Sequence, residues 1–211
     1  FMHLARRAWC RTYQTVFRIA LPILPYTEPR ILEHTEDVPA VLQKRSIQKA
    51  LIVTDPGIAR LGLTASLERA LTAQGIAVTV YAETRANPTV SNVEEAAALY
   101  RENDCRAIIG FGGGSAMDCA KGVGARIAQP NKPINKMRGL LRVHRLLPLL
   151  IAVPTTAGTG SEVTLAAVIT DDETHYKYPI NDFVLIPRFA VHDPEFTRGL
   201  PASITGQTGM D

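Results

Sequence analysis

Short runs of consecutive apolar residues, each followed by a stretch with helical apolar spacing, recur along this chain. Lys49-Ala-Leu-Ile-Val-Thr54 and Leu149-Leu-Ile-Ala-Val153 have nothing polar in their interiors, the pattern of strands covered on both faces in a parallel sheet. Ile76-Ala-Val-Thr-Val-Tyr81 and Ala107-Ile-Ile-Gly-Phe111 read as two further strands. Between them the spacing predicts a helix from Thr64 to Gln74 closed by Gly75, and a helix through Arg101 that Ser91 caps with Glu94 in capping-box position. A third covers 115–127. Ahead of this core lie a helix over 2–21 ended by Pro22 and Pro25, a short strand at Arg30-Ile-Leu-Glu33, and a helix from Glu36 to Arg45. Behind it, Val163–Thr170 and His175–Tyr178 predict a hairpin around Asp171-Asp172-Glu173, and Phe189–Asp193 a last strand. Three β-α units in succession predict an α/β fold, a doubly wound parallel sheet covered by helices.

Composition narrows the class without changing that picture. The 211 residues are 46% hydrophobic and 20% charged, ordinary globular material. No apolar run reaches the length of a membrane span. Cys10, Cys105 and Cys119 are odd in number and unclustered, so neither a disulfide framework nor a zinc knuckle is expected, and the cytoplasm is the expected compartment. The net charge of +3 is unevenly placed: Arg6, Arg7, Arg11 and Arg18 stand in an acid-free opening, and Lys121 to Arg145 holds seven Lys or Arg with no acid. The first patch has two readings, a mitochondrial presequence over 2–21 and an N-terminal helix of the fold with a solvated basic face. Trp9, Tyr13 and Phe17, taken as packing residues, favour the second. The second patch, with Pro130 and Pro133, reads as a surface insertion; it lacks interleaved aromatics, so no nucleic-acid partner is expected.

The candidate chemistry sits in two loops. The strand ending at Phe111 feeds Gly112, Gly113 and Gly114 and then a helix starting near Ser115, which is the layout of a phosphate cradle: glycine backbone approaches an anion closely, and the helix N-terminus is positive. It matches neither the dinucleotide fingerprint nor a Walker A loop, and a tight turn is the alternative. The strand ending at Val153 feeds Pro154-Thr-Thr-Ala-Gly-Thr-Gly-Ser-Glu162, where Thr155, Thr156 and Thr159 offer hydroxyls to phosphate or ribose oxygens. Asp55 closes the strand at 49–54. At the carboxyl edge of a parallel sheet it marks a ligand site, or else it caps the next helix with Pro56 at the first position.

Taken together, Asn87-Pro-Thr, Gly112-Gly-Gly-Ser-Ala-Met-Asp-Cys-Ala-Lys121, Pro154 to Glu162, Lys177-Tyr-Pro-Ile, His192-Asp-Pro-Glu195 and Thr208-Gly-Met-Asp211 resemble the iron-containing (group III) alcohol dehydrogenases. The resemblance implies an NAD(P)-binding α/β domain over 1–205, with 1–28 a helical extension and 206–211 the start of a helical metal-binding domain that is otherwise missing. It implies that Asp55 meets the adenosine ribose, that Gly112, Gly113, Gly114, Ser115 and Asp118 form the pyrophosphate loop, and that Asn87, Thr155, Thr156, Thr159 and Lys177 touch the cofactor. A carboxylate at Asp55 favours NAD over NADP. Asp211 resembles the first ligand of a divalent metal, Fe(II) or Zn(II), which the family holds with an aspartate and three histidines. His3, His34, His144, His175 and His192 match none of those histidine positions and read as surface or packing residues.

The implied function is hydride transfer between an alcohol, or its aldehyde or ketone, and NAD(P), with metal assistance and a small-molecule alcohol or aldehyde as substrate. A homo-oligomer is expected for the complete protein, and catalytic silence for these 211 residues by themselves. Two other readings stand beside it: the glycerol dehydrogenase and dehydroquinate synthase branch of the same fold, which the Thr155-Thr156 loop and Gly209-Met-Asp argue against, and a nucleotide-binding module without chemistry.

Overall fold

The computed structural model describes residues 2–20, 26–198, 200, 202, 206 and 208–210. Helix α1 (Met2–Ala20) precedes β1 (Arg30–Leu32), α2 (Val38–Gln43), β2 (Lys49–Val53), α3 (Pro56–Arg60), α4 (Ala65–Ala73), β3 (Ala77–Tyr81), α5 (Val90–Glu102), β4 (Ala107–Gly112) and α6 (Gly114–Ala128). The chain continues through β5 (Gly139–Leu140), β6 (Leu149–Pro154), β7 (Ala166–Thr170), β8 (Lys177–Asn181), β9 (Phe189–Val191) and α7 (Glu195–Arg198).

Six strands form one sheet in the order β1-β9-β6-β4-β2-β3, all pairs parallel. From β2 the chain first steps outward to β3 and then returns across β2 to β4, so the winding direction reverses between β2 and β4. Such a reversal leaves a crevice beyond the carboxyl ends of those two strands. Strand residues alternate between two cores. Ala50, Ile52, Ile109 and Phe111 pack toward Leu67 and Leu71 of α4 and Val38 and Leu42 of α2, while Leu51, Val53 and Ile108 pack toward α5 and α6. The expected α/β doubly wound sheet is the observed one.

A smaller sheet, β5-β8-β7, lies against α6. Its β7–β8 pair is the expected hairpin, but the second strand runs over 177–181 instead of 175–178, since His175 takes a positive φ of 55° in the turn. Pro179 is tolerated because its partner Val168 directs its N–H outward to α6 instead of across the pair.

Several local expectations change. Thr89, not Ser91, caps α5: its side chain accepts from the Asn92 N–H, and Asn92 Oδ1 accepts from the Thr89 N–H, completing the capping box one residue pair earlier. Glu94 accepts instead from Arg126 Nε at 2.6 Å. The helix expected over 36–45 opens as a 3-10 turn (Thr35–Asp37) and is α-helical only over Val38–Gln43, where Pro39 suits the first turn. The basic segment after α6 is more than a surface insertion, because Ile134, Met137 and Val143 are fully buried and β5 pairs with β8. Trp9 is exposed, not a packing residue. The expected boundary at 205/206 and the candidate ligand Asp211 fall on or beside residues outside the described ones.

Candidate cofactor cleft

Beyond the carboxyl ends of β2 and β4 opens a cleft of about 1050 Å³. Its floor is the turn from β4 into α6. Gly112 has φ +145°, and a Cβ there would stand 2.9 Å from Ala116 Cβ, so only glycine fits. Gly113 is the N-cap of α6 in extended conformation and supplies no side-chain cap, and no acid occupies the first turn. The opening N–H groups of a 15-residue helix therefore face the cleft with their partial positive charge uncompensated.

The second loop closes over the first. Thr155 N–H donates to Gly112 O at 3.0 Å, which ties β6 to β4 beyond the last register pair. A Cβ at Gly113 would meet Thr156 Oγ1 at 3.5 Å, and one at Gly114 would meet the Thr159 side chain at 3.5 Å. Thr156 Oγ1 is buried and has no hydrogen-bond partner within the protein. A bare helix N-terminus, three glycines without side chains and a buried hydroxyl without an acceptor fit a pyrophosphate.

Asp55 answers both of its readings. Its Oδ1 accepts from Gly57 N–H at 2.8 Å and Ile58 N–H at 3.0 Å, capping α3, and its Oδ2 is turned toward Gly112 at the cleft wall. Asn87, at positive φ, donates its N–H to Ser115 Oγ at 3.2 Å and so joins the 83–89 loop to the start of α6.

Asn87, Gly112, Asp118 and Lys177 are not among the residues that line this cleft. Lys177 is exposed at the start of β8. Asp118 faces the second loop and β7: its Oδ1 accepts from Ser161 Oγ at 2.8 Å and its Oδ2 from Val168 N–H at 3.0 Å. One turn on, Lys121 is fully buried, and its Nζ donates to Ala166 O at 2.8 Å and to Thr164 O and Oγ1 at 3.0 Å. Because β7 has β8 on one side only, Asp118 and Lys121 satisfy its open edge at alternate residues, 168 and 166. Burial raises the Asp118 pKa and lowers that of Lys121 to about 8.

Three groups escaped sequence reasoning. Asn92 holds the cleft-lining 83–89 loop from beneath, accepting from Arg85 and Thr89 N–H and donating to Glu83 O. Its signal was the Thr-x-x-Asn spacing. Arg60 and Arg85 bring positive charge to the same cleft with nothing local to mark them, whereas Glu195, which lines it from α7, appeared in sequence only as the end of His192-Asp-Pro-Glu195. For metal ligands, His34, Glu36 and Asp193 stand together, but Asp193 is committed: Oδ2 accepts from Thr35 N–H and Oγ1, and Oδ1 from Glu195 N–H. The described histidines among the five are all exposed.

A model of the iron-containing alcohol dehydrogenases matches residues 31–194. The chain belongs to the iron-containing alcohol dehydrogenase family. Among its relatives, alcohol dehydrogenase 4 of Schizosaccharomyces pombe is 40% identical over 170 residues, 81% of this chain and 40% of that protein. Among solved structures, a 1,3-propanediol oxidoreductase superposes with TM-score 0.83 at 34% identity, covering 88% of this chain and 50% of that one. The sulfoacetaldehyde reductase of Bifidobacterium kashiwanohense, solved in complex with NAD+, gives TM-score 0.75 at 31% identity, again with 88% and 50% covered. The chain thus spans half or less of the length of these family members, and the switch-point cleft lies inside the matched part.

Proposed function

We propose that this chain is the NAD-binding half of a metal-assisted alcohol oxidoreductase. The observation that carries the reading is the meeting of the two loops at the sheet's switch point, where Gly113 faces Thr156 and Gly114 faces Thr159 over the bare start of α6. In this reading the N–H groups of Gly113 to Ser115 receive the pyrophosphate, Thr156 donates its unpartnered hydroxyl to it, and Asp55 Oδ2 accepts from the adenosine ribose. Thr155, Thr159 and Asn87 complete the cofactor surface. Asp118 acts by holding Ser161. When bound, NAD would supply the hydride acceptor, and Fe(II) or Zn(II), with Asp211 as one ligand, would supply a Lewis acid for the alcohol oxygen.

The substrate class is a small alcohol or its aldehyde, in a cytoplasmic homo-oligomer. Isothermal titration of the intact protein with NAD, followed by NADH formation from primary alcohols with Fe(II) or Zn(II), tests the reading in two steps. Absence of NAD binding sinks it outright. NAD binding with no metal-dependent turnover on any alcohol favours the nucleotide-binding module.

A further inference from the structure

Two parts of the surface combine exposed apolar side chains with unpaired basic ones, and neither belongs to the cleft. In α1 every side chain whose exposure is described is exposed, including Trp9 at 72%, Val16 at 61% and Ile19 at 69%. At about 100° per residue Trp9, Val16 and Ile19 share one side of the helix, and Arg7, Arg11 and Arg18 fall within about 40° of one another roughly opposite. The helix contains no acid.

The second part is the segment 138–146. Leu140 is 51% exposed and Leu146 76%, with exposed Arg142 and Arg145 between them. Lys132 joins the segment, its Nζ donating to Arg142 O at 2.7 Å. No acid occurs in sequence between Asp118 and Glu162. Asp182 touches the segment from below, buried, holding Val143 and His144 N–H. Among the described residues, none of Arg142, Arg145, Arg7, Arg11 and Arg18 forms an ion pair. Thr27, seven residues beyond the end of α1, lines the same surface hollow as Leu146 and Leu147.

We propose that α1 and the 138–146 segment dock this protein on an anionic phospholipid surface, α1 lying in the headgroup plane. An acid-free basic face suits the negative surface of such a bilayer, and an exposed Trp, Val and Ile face suits the acyl boundary beneath the headgroups. No helix among the described residues is long and apolar enough to cross a membrane, so the attachment is peripheral. It is independent of the cofactor reading, since none of these residues lines the cleft.

Sedimentation of the intact protein with vesicles tests it. With about 30% phosphatidylglycerol in phosphatidylcholine at low salt, the protein pellets and is released at high salt; with pure phosphatidylcholine it stays in solution. Trp9 is the only tryptophan in the 211 residues. The emission lost in Trp9→Phe shifts to the blue when anionic vesicles are added. The triple change Arg7→Gln, Arg11→Gln, Arg18→Gln lowers the partition coefficient on the order of 100-fold, and Arg142→Gln with Arg145→Gln lowers it less, each with unchanged circular dichroism. Equal partition onto neutral vesicles, unchanged partition of the triple variant, or a supernatant fraction with every vesicle, as a purely protein partner would give, overturns the proposal.

Discussion

Replacing Lys121 by methionine uncouples the Ser161–Thr164 turn and the start of β7 from α6, and its effect can be worked out from the structure. The ammonium has three protons for four acceptors; the longest contact, 3.2 Å to Ser161 Oγ, goes to a hydroxyl whose own proton points at Asp118. A thioether fills the space but leaves the carbonyls of Thr164 and Ala166 without their donor, at about 1–3 kcal/mol each. The substitution also removes a buried charge. Burial lowers the lysine pKa from 10.5 to about 8, against the opposing pull of the Asp118 and Glu162 carboxylates, so keeping it charged costs the fold about 3 kcal/mol at neutral pH. The two effects largely offset, and Lys121→Met is expected between about 1 kcal/mol more stable and about 3 kcal/mol less stable than wild type at neutral pH.

The pH dependence is the sharper observable. The folded pKa lies below the unfolded one, so between about pH 8 and 10.5 the unfolded chain binds the extra proton. Wild-type stability therefore gains a rising contribution across that window, level below it, and the variant lacks it. Cys119 and Tyr178, pushed up to about 12 by burial, act in the opposite direction in alkali, but they do so in both proteins and cancel in the difference. The stability gap should widen by about 3 kcal/mol between pH 8 and 10.5. Urea unfolding of both intact proteins at a series of pH values measures it. A gap that is constant or narrows with pH would refute the assignment of a buried, charged, fully bonded lysine.

Gly113→Ala should cost less than about 1 kcal/mol of stability, since its Cβ meets Thr156 at ordinary contact distance, yet weaken NAD binding about tenfold or more by calorimetry. Gly112→Ala should instead destabilise the protein by about 1–3 kcal/mol in thermal unfolding, because of its positive φ and the 2.9 Å approach to Ala116. Asp55→Asn keeps an oxygen to cap α3 and removes the charge, so stability should hold while the proposed preference for NAD over NADP narrows in paired titrations; an unchanged ratio would remove Asp55 from the proposed ribose site. Thr89→Ala should cost about 1 kcal/mol and Ser91→Ala close to nothing, measured by denaturant unfolding.

The fold was legible wherever a segment's environment depends on its own periodicity. The runs at 49–54 and 149–153, apolar throughout their interiors, and the amphipathic stretches between them specify covered parallel strands and their helices, because burial on both faces disfavours polar residues within a strand. The glycine turn was legible for a similar reason, since at Gly112 a positive φ and a close approach to α6 admit one residue type. Cap and turn positions came out one or two residues displaced, at Thr89 and at His175–Lys177, because Ser and Thr, or neighbouring strand residues, compete at nearly equal local energy and the surrounding contacts choose. What no local pattern could state is which groups meet across the chain. Asp118 belongs to the glycine motif in sequence but reaches Ser161 and Val168, 43 and 50 residues away, because β7 needs its open edge satisfied. Arg60, Arg85 and Glu195 come to one cleft only because the sheet reverses its winding between β2 and β4. The sequence by itself determined most of the elements, the glycine turn after β4 and the family. The tertiary structure decided which side chains face the cleft and which hold the loops that do, since long-range pairing of buried polar groups is settled by topology and not by spacing.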